Sequence, residues 1–405
     1  MISVAEAISI VKEQAQSLGA EEVALADALG RVLARDVFAD SDLPPFDRAQ
    51  MDGYAVRAVD TLSAPVRLRV VGESAAGRGW HQLMRAGEAV RIMTGAPVPV
   101  GADSVQQVEL SRELDQGALV EIDRGTSVGQ FIVPRASEIS AGAQVLSAGE
   151  RINAAMMAVL ASFGHARVSV GRRPRVAVLA TGTELVAVSS QPEQDQIRDS
   201  NTYSLSAYAQ LAGGVVEALP LAGDEPDLLR REIAEAAARS DLLILSGGVS
   251  MGVYDFTKTA LRELGAEILF ERVSLRPGKP TVFARLPPPH STLVFGLPGN
   301  PVSVSVTFNL FARAALRAMQ GCTEEVMREE RAILAHTVKG ALERESYLPA
   351  QLRSDEQGRL MAEPLKWGGS SDFVAFARAN ALVNIPAGIN ALEAGALVRV
   401  LRLPE

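Results

Sequence analysis

From Pro174 to about Gly321, short apolar runs alternate with amphipathic stretches, and this pattern limits the fold more tightly than any other in the chain. Val176 to Ala180, Val215 to Pro220, Leu242 to Leu245, Glu267 to Phe270 and Thr292 to Phe295 read as strands. Between them, Tyr203 to Leu211, Pro226 to Ala238, Thr257 to Leu264 and Pro301 to Met319 read as helices. Parallel strands need long crossover connections, so the alternation predicts βαβ units and a mostly parallel sheet covered on both faces.

The flanks follow other rules. Val4 to Ser17, capped by Ser3, and Leu25 to Leu33 read as helices that stop before Leu43-Pro44-Pro45-Phe46. From Asp47 to Ala141, alternating runs such as Val66 to Val71, Ala89 to Met93 and Ala118 to Ile122 are separated by Gly, Pro and Asp, which predicts a small β domain. A helix at Asn153 to Phe163 and a strand at Ala166 to Val170 resume the first layer, so that β domain is expected to be an insertion. After Met327 short strands return and end with Ala396 to Leu401. The expected class is α/β plus β and multidomain: 1–46 with 142–172, an inserted β domain at 47–141, an α/β domain at 173–325 and a C-terminal β domain at 326–405.

Length supports this division, because 405 residues exceed what one hydrophobic core normally serves. A content of 47% hydrophobic and 22% charged residues excludes a predominantly disordered chain. The net charge of −8 argues against a general nucleic-acid binder and requires any anionic ligand to be met by local basic groups. A single cysteine, Cys322, excludes an internal disulfide framework and a Cys-rich metal site. His81, His165, His290 and His336 lack metal-ligand spacing. Glu6, Lys12 and Glu13 interrupt the N-terminal apolar pattern, and no run approaches the roughly 18 apolar residues of a membrane span. A cytoplasmic protein without membrane or nucleic-acid partners is expected.

In an open parallel sheet, ligands bind beyond the carboxyl ends of the strands. Three small-residue loops leave such ends: Thr181-Gly182-Thr183-Glu184, then Ser246-Gly247-Gly248-Val249-Ser250, then Pro298-Gly299-Asn300-Pro301-Val302-Ser303. One such loop alone reads best as an ordinary strand-to-helix turn. Three on one edge describe a cradle for phosphate or another oxyanion. Glu184, Asp199, Asp224 and Asp255 stand beside these loops, and carboxylates near bound phosphate make sense mainly with a bridging hard cation such as Mg²⁺. Taken singly, Asp199 and Asp255 also read as helix caps and Asp224 as a turn residue. Basic groups gather in Arg272-Val273-Ser274-Leu275-Arg276-Pro277-Gly278-Lys279-Pro280, where the prolines stiffen a turn that either holds cations toward an oxyanion or is a solvated surface loop. Asp52 and Thr94 lie in short turn-like stretches of the inserted β domain whose composition alone does not choose between structure and chemistry.

These stretches together resemble the molybdopterin molybdenumtransferases, the MoeA family related to the C-terminal domain of gephyrin. Pro45-Phe46-Asp47, Met51-Asp52-Gly53-Tyr54-Ala55, Met93-Thr94-Gly95-Ala96-Pro97, Thr181-Gly182-Thr183-Glu184, Ser246-Gly247-Gly248-Val249-Ser250, Asp255-Phe256-Thr257-Lys258, Pro277-Gly278-Lys279-Pro280 and Gly296 to Ser303 match its pattern in order. The resemblance implies a homodimer of four-domain subunits, a molybdopterin-binding α/β domain and a cleft completed by the other subunit. It implies insertion of molybdate into adenylylated molybdopterin with release of AMP, aided by Mg²⁺. The sulfur ligands of molybdenum then belong to the pterin, which agrees with the lack of a cysteine cluster.

By the same resemblance, Asp52, Thr94, Glu184, Asp224 and Asp255 match positions tied to activity or to metal and adenylate handling, with Glu184, Asp224 and Asp255 as the metal set. Gly247, Gly248, Ser250, Arg272, Arg276, Lys279, Pro280, Pro298, Gly299, Asn300, Ser303, Arg344 and Ser370 match substrate-binding positions. Implied protein partners are a molybdopterin adenylyltransferase and the molybdoenzymes that receive the cofactor. The chain departs from the pattern at Arg272 and Arg276, which replace lysines of some members, and at Phe256, which replaces a common tyrosine. It departs again at Pro349, in place of a second arginine, at Val374 and Ala375, in place of the usual paired serines, and at Asp372, where an apolar residue is common. A molybdopterin adenylyltransferase is the nearest alternative, but it is usually a single domain. A gephyrin-like scaffold would call for a long linker or an extra domain.

Overall fold

The computed structural model describes residues 1–223, 225–248, 256–323 and 329–404. It forms two compact units, one of Met1–Arg35, Ala148–Ala154 and Arg167–Glu405, the other of Asp36–Ser147 and Ala155–Ala166.

The first unit is built on a six-stranded sheet with the order Val215–Ala218, Arg175–Ala180, Leu242–Ser246, Leu293–Leu297, Val282–Arg285 and Glu267–Phe270. The first three pairings are parallel, as the alternation predicts, while Val282–Arg285 runs antiparallel to both its neighbours. Successive residues point to opposite faces, so Val176 and Val178 join one buried cluster and Ala177 and Leu179 another. On the first face Phe283 stacks on Phe295 with centroids 4.5 Å apart and meets Phe270 at 5.5 Å. Helix Pro301–Thr307 packs there and continues through a π turn at Phe308–Ala312 into Arg313–Met319. Proline suits its first turn, where no intrahelical donor is lost.

The N-terminal helix, Val4–Gln14, is capped by Ser3, whose Oγ accepts from Glu6 N–H, and buries Val4, Ala7 and Val11 in the same cluster. The helix expected at Leu25 to Leu33 is absent. A single 3-10 turn, Leu25–Asp27, is followed by Gly30 in a left-handed conformation (φ 75°). Gly30 and Leu33 N–H then bond to the Ile152 and Glu150 carbonyls. Pairing with the distant strand segment satisfied the backbone that a helix would otherwise have used.

The C-terminal region closes into a five-stranded ring. Glu345–Ser354 pairs with both Leu360–Pro364 and Ala381–Ile385, and Glu329–Leu334 and Leu397–Arg402 complete the circuit. Leu275–Arg276, which leaves the α/β region, adds to this ring parallel to Glu345 and Ser346. In the second unit, Ser104–Gln107, Gly53–Val56, Glu88–Ile92, Val66–Ser74, Leu119–Ile122 and Ser111–Leu114 form a separate sheet in that order. Among the described residues no helix is long and apolar enough to cross a membrane.

Phe295 is fully buried and stacked on Phe283, so Phe295→Ala should destabilise the protein by about 3–5 kcal/mol. A matching fall in the midpoint of urea unfolding is the check; a loss below ~1 kcal/mol would show that this face is loosely packed.

Candidate active site

The three small-residue loops converge at the carboxyl edge of the parallel strands. Gly247 has φ 97°, and a Cβ there would lie 2.3 Å from the Thr181 carbonyl oxygen, so only glycine allows this approach. Asn201, first residue of helix Asn201–Leu211, ties the loops together. Its Nδ2 donates to Ser246 Oγ at 2.9 Å and to the Gly299 carbonyl at 2.7 Å. These loops wall a cleft of about 960 Å³ lined by Thr181, Glu184, Asn201, Gly247, Gly248 and Gly299, among others. Glu184 is exposed, and its carboxylate lies where a Cβ on Gly182 would stand 2.6 Å away. Thr181 Oγ1 and Asn201 Oδ1, in the same walls, are buried without a hydrogen-bond partner among the described residues.

A second cleft of about 670 Å³ adjoins the first, and Pro280, Pro298 and Asn300 belong to both walls. Arg276, Lys279, Lys339 and Arg344 line it together with Ser303 and Ser370. None of the four cations forms an ion pair with a described residue; Arg276 Nη1 only donates to the Gly340 carbonyl at 3.4 Å. The strand pairing of Leu275–Arg276 with Glu345–Ser346 delivers Arg276 to this cleft. Asn300 Nδ2 donates to Ser370 Oγ at 2.9 Å, and Val302 N–H donates to the Ser370 carbonyl at 3.0 Å, which seams the ring domain to the helix that starts at Pro301.

Most of the residues expected from sequence therefore meet: Glu184, Gly247, Gly248 and Gly299 around one cleft, Arg276, Lys279, Ser303, Arg344 and Ser370 around the other, with Pro280, Pro298 and Asn300 between. Arg272 does not join them. It is exposed and outside both linings, and its carbonyl accepts from Ile2 N–H. Asp224, Ser250 and Asp255 lie outside the described residues. Asp199 takes the capping role, its Oδ1 accepting from Thr202 N–H at 3.1 Å. Asp372 is a cap as well. It accepts from Ala375 N–H at 3.1 Å and Gly368 N–H at 2.8 Å, and these bonds hold its carboxyl below the usual range. The departure at Asp372 thus organises the loop that carries Ser370.

Sequence reasoning gave no role to Asn201, Lys339 and Trp367, and named Thr181 only as part of a cradle loop; all four line the clefts. Asn201 had a legible signal, a helix start beside Asp199. Lys339 had none, because its place depends on ring closure far along the chain.

Asp52 and Thr94 meet in the second unit. Gly53 pairs with Ile92 across antiparallel strands, which brings Thr94, one residue past the position opposite Asp52, beside it. Asp52 Oδ1 accepts from Thr94 Oγ1 at 2.6 Å and from Thr94 N–H at 2.7 Å. The hydroxyl first, and then the amide, hold the carboxyl below its ordinary range.

Fold and clefts together describe a multidomain α/β protein with a cleft of small-residue loops at the carboxyl edge of its sheet, where such folds carry their ligands. Family models agree on the lineage: the MoeA N-terminal region matches residues 2–164, a probable molybdopterin binding domain matches 177–318 and the MoeA C-terminal region matches 331–403. The molybdopterin molybdenumtransferase of Bacillus subtilis is 36% identical, covering 95% of this chain and 90% of its own. That of a Nostoc species is 37% identical, covering 95% and 89%. Two solved structures of a molybdopterin biosynthesis MoeA protein from Pyrococcus horikoshii superpose with TM-scores of 0.83 and 0.85. They are 32% and 27% identical and span 99% and 100% of both chains. The chain belongs to the MoeA family, the molybdopterin molybdenumtransferases of molybdenum cofactor biosynthesis.

Removing the Thr94 hydroxyl should release part of the hold on Asp52. Thr94→Val is expected to raise the Asp52 pKa toward the ordinary carboxylate value, read by NMR of the side-chain carboxyl. The contribution to stability is present above the ordinary Asp range and is lost as pH falls through the lowered Asp52 pKa; in Thr94→Val it should be smaller and its loss complete at higher pH. An unmoved titration would assign the shift to the backbone amide alone.

Proposed function

We propose that this protein inserts molybdenum from molybdate into the dithiolene of adenylylated molybdopterin and releases AMP. The observation that carries this reading is the pair of adjoining clefts with a shared wall. The convergence of four unpaired cations suits a tetrahedral dianion, and the glycine loops beside Glu184 suit a phosphoanhydride. The names of the Bacillus and Nostoc relatives support the same assignment.

In this reading Arg276, Lys279 and Arg344 bind the oxyanion, with Ser303 and Ser370 as hydroxyl partners. The Gly247 and Gly248 loop brings backbone close to the phosphates, and the prolines at 280 and 298 keep the shared wall stiff. Glu184, Asp224 and Asp255 would hold Mg²⁺. The described residues fit such an ion: Glu184 has no ion-pair partner among them, and Thr181 Oγ1 and Asn201 Oδ1 are further hard oxygen donors in the same walls that lack partners. When bound, Mg²⁺ offsets charge on the phosphoanhydride. Asp52 and Thr94 act in a cleft completed by the second subunit of a homodimer. The protein works in the cytoplasm, taking adenylylated pterin from an adenylyltransferase and passing the finished cofactor to molybdoenzymes.

Purified protein incubated with adenylylated molybdopterin, molybdate and Mg²⁺ should release AMP and yield active cofactor. Under limiting Mg²⁺, Glu184→Gln should slow turnover on the order of a hundredfold with unchanged circular dichroism. Near-normal turnover in that variant would remove Glu184 from the metal set.

Mixing Asp52→Ala and Glu184→Gln subunits tests the shared cleft. In a two-fold dimer one composite site of the heterodimer carries both changes and the other carries neither, so about half the wild-type rate should return. No recovery in a verified heterodimer would place the whole site within one chain.

A further inference from the structure

Lys339 lies outside the residues that the family pattern assigns to substrate, yet it lines the same cleft as Arg276, Lys279 and Arg344. Its backbone is held on both sides. The two-residue strand Val338–Lys339 pairs antiparallel with Ala391–Leu392, and the following Gly340 N–H donates to the Asn390 carbonyl at 2.8 Å. A Cβ on Gly340 would lie 2.2 Å from the Ile389 carbonyl oxygen, so this turn is pressed against the neighbouring segment and cannot accept a side chain there. The Gly340 carbonyl in turn accepts from Arg276 Nη1. Lys339 is thereby anchored beside a guanidinium.

The ammonium itself is free, with no ion pair or hydrogen bond to a described residue. Arg276, Lys279 and Arg344 share that lack of an ion pair with a described residue. The chain carries 48 acidic residues against 40 basic ones, and basic residues elsewhere, such as Arg175, Arg239 and Arg402, have found carboxylates. A fourth cation beside three others raises the local repulsion, which an anion seated among them would relieve. Lysine also suits the task physically. It is a compact charge on a flexible stem, able to follow one oxygen of a tetrahedral anion as the group moves, which a planar fork does less readily.

We propose that Lys339 is a direct ligand of the oxyanion in this cleft, acting with Lys279 and Arg344. The proposal rests on the reading of the cleft as the molybdate site. Molybdate alone is the probe, measured by calorimetry or equilibrium dialysis on the full chain. Lys339→Ala should weaken molybdate binding by about tenfold and flatten its dependence on salt, while Lys339→Arg should retain most of the affinity. In turnover, Lys339→Ala should raise the half-saturating molybdate concentration and leave that for adenylylated molybdopterin unchanged. An unchanged thermal midpoint guards against a folding defect, and Lys339→Gln serves as the second neutral variant if the alanine protein is unstable. Wild-type binding of molybdate with equal affinity in Lys339→Ala and Lys339→Gln would make Lys339 a solvated rim charge and overturn the proposal. Absence of molybdate binding by the wild-type protein would overturn the underlying reading of the cleft, and the proposal with it.

Discussion

One side-chain amide holds the working edge of this protein together. Asn201 begins the helix that follows the first parallel strand, and its nitrogen reaches the ends of two others, at Ser246 and Gly299. Parallel strands deliver their loops to one edge, but side chains of ordinary size would keep those loops apart. Gly247 removes that obstacle by letting its backbone lie against the Thr181 carbonyl, and Gly299 comes within ordinary contact of Gly247. The close approach leaves a surface of backbone and small residues, on which a phosphate can be met by amides rather than by mobile charges. The oxygen of Asn201 has no hydrogen-bond partner among the described residues, so the tie that closes the edge also leaves an acceptor at the cleft wall.

Charge follows a different logic from packing. Arg175 is fixed by a bidentate pair with Asp241, which holds the aspartate low and the arginine high, and it is thereby spent. Arg276 is placed instead by backbone pairing with the ring domain. Positioning a cation through its main chain costs none of its charge, so the guanidinium stays available to a ligand. Asp372 works similarly at one remove: its carboxylate is used up on two backbone amides, and the loop it shapes presents Ser370 to Asn300.

The parallel sheet was legible because its information is local: apolar runs of strand length alternate with helical spacing, and Val176 to Ala180 or Leu242 to Leu245 can be little else. Val282–Arg285 escaped notice since it joins the sheet antiparallel, outside the βαβ rhythm, directly after the Lys279-Pro280 turn. Leu25 to Leu33 misled because its helical spacing is real, whereas its hydrogen bonds are claimed by residues 150–152, more than a hundred positions away. The small-residue loops and the Arg276 to Pro280 turn could be read as anion chemistry from composition. Arg272 in the same basic stretch could not be told from Arg276, as the difference lies in which residue pairs with Glu345 and Ser346.

The division of labour between sheet edge and ring domain explains why the α/β fold alone would be insufficient for two anionic reactants. Among the described residues lining the first cleft the sole cation is Arg198, and its Nε already donates to the Ser190 carbonyl. That edge can cradle a phosphoanhydride by its backbone and carboxylate, yet it has little free positive charge for a second dianion. Lys339, Arg344 and Ser370 come from the C-terminal region, and they surround the cleft on the far side of Pro280, Pro298 and Asn300. On the proposed reading, two anions seated in adjoining clefts would each be met by their own groups, the free cations in one cleft and the backbone loops and Glu184 in the other, with Pro280, Pro298 and Asn300 lining both. A ring domain added to a sheet edge thus sets free cations beside a cleft of small-residue loops.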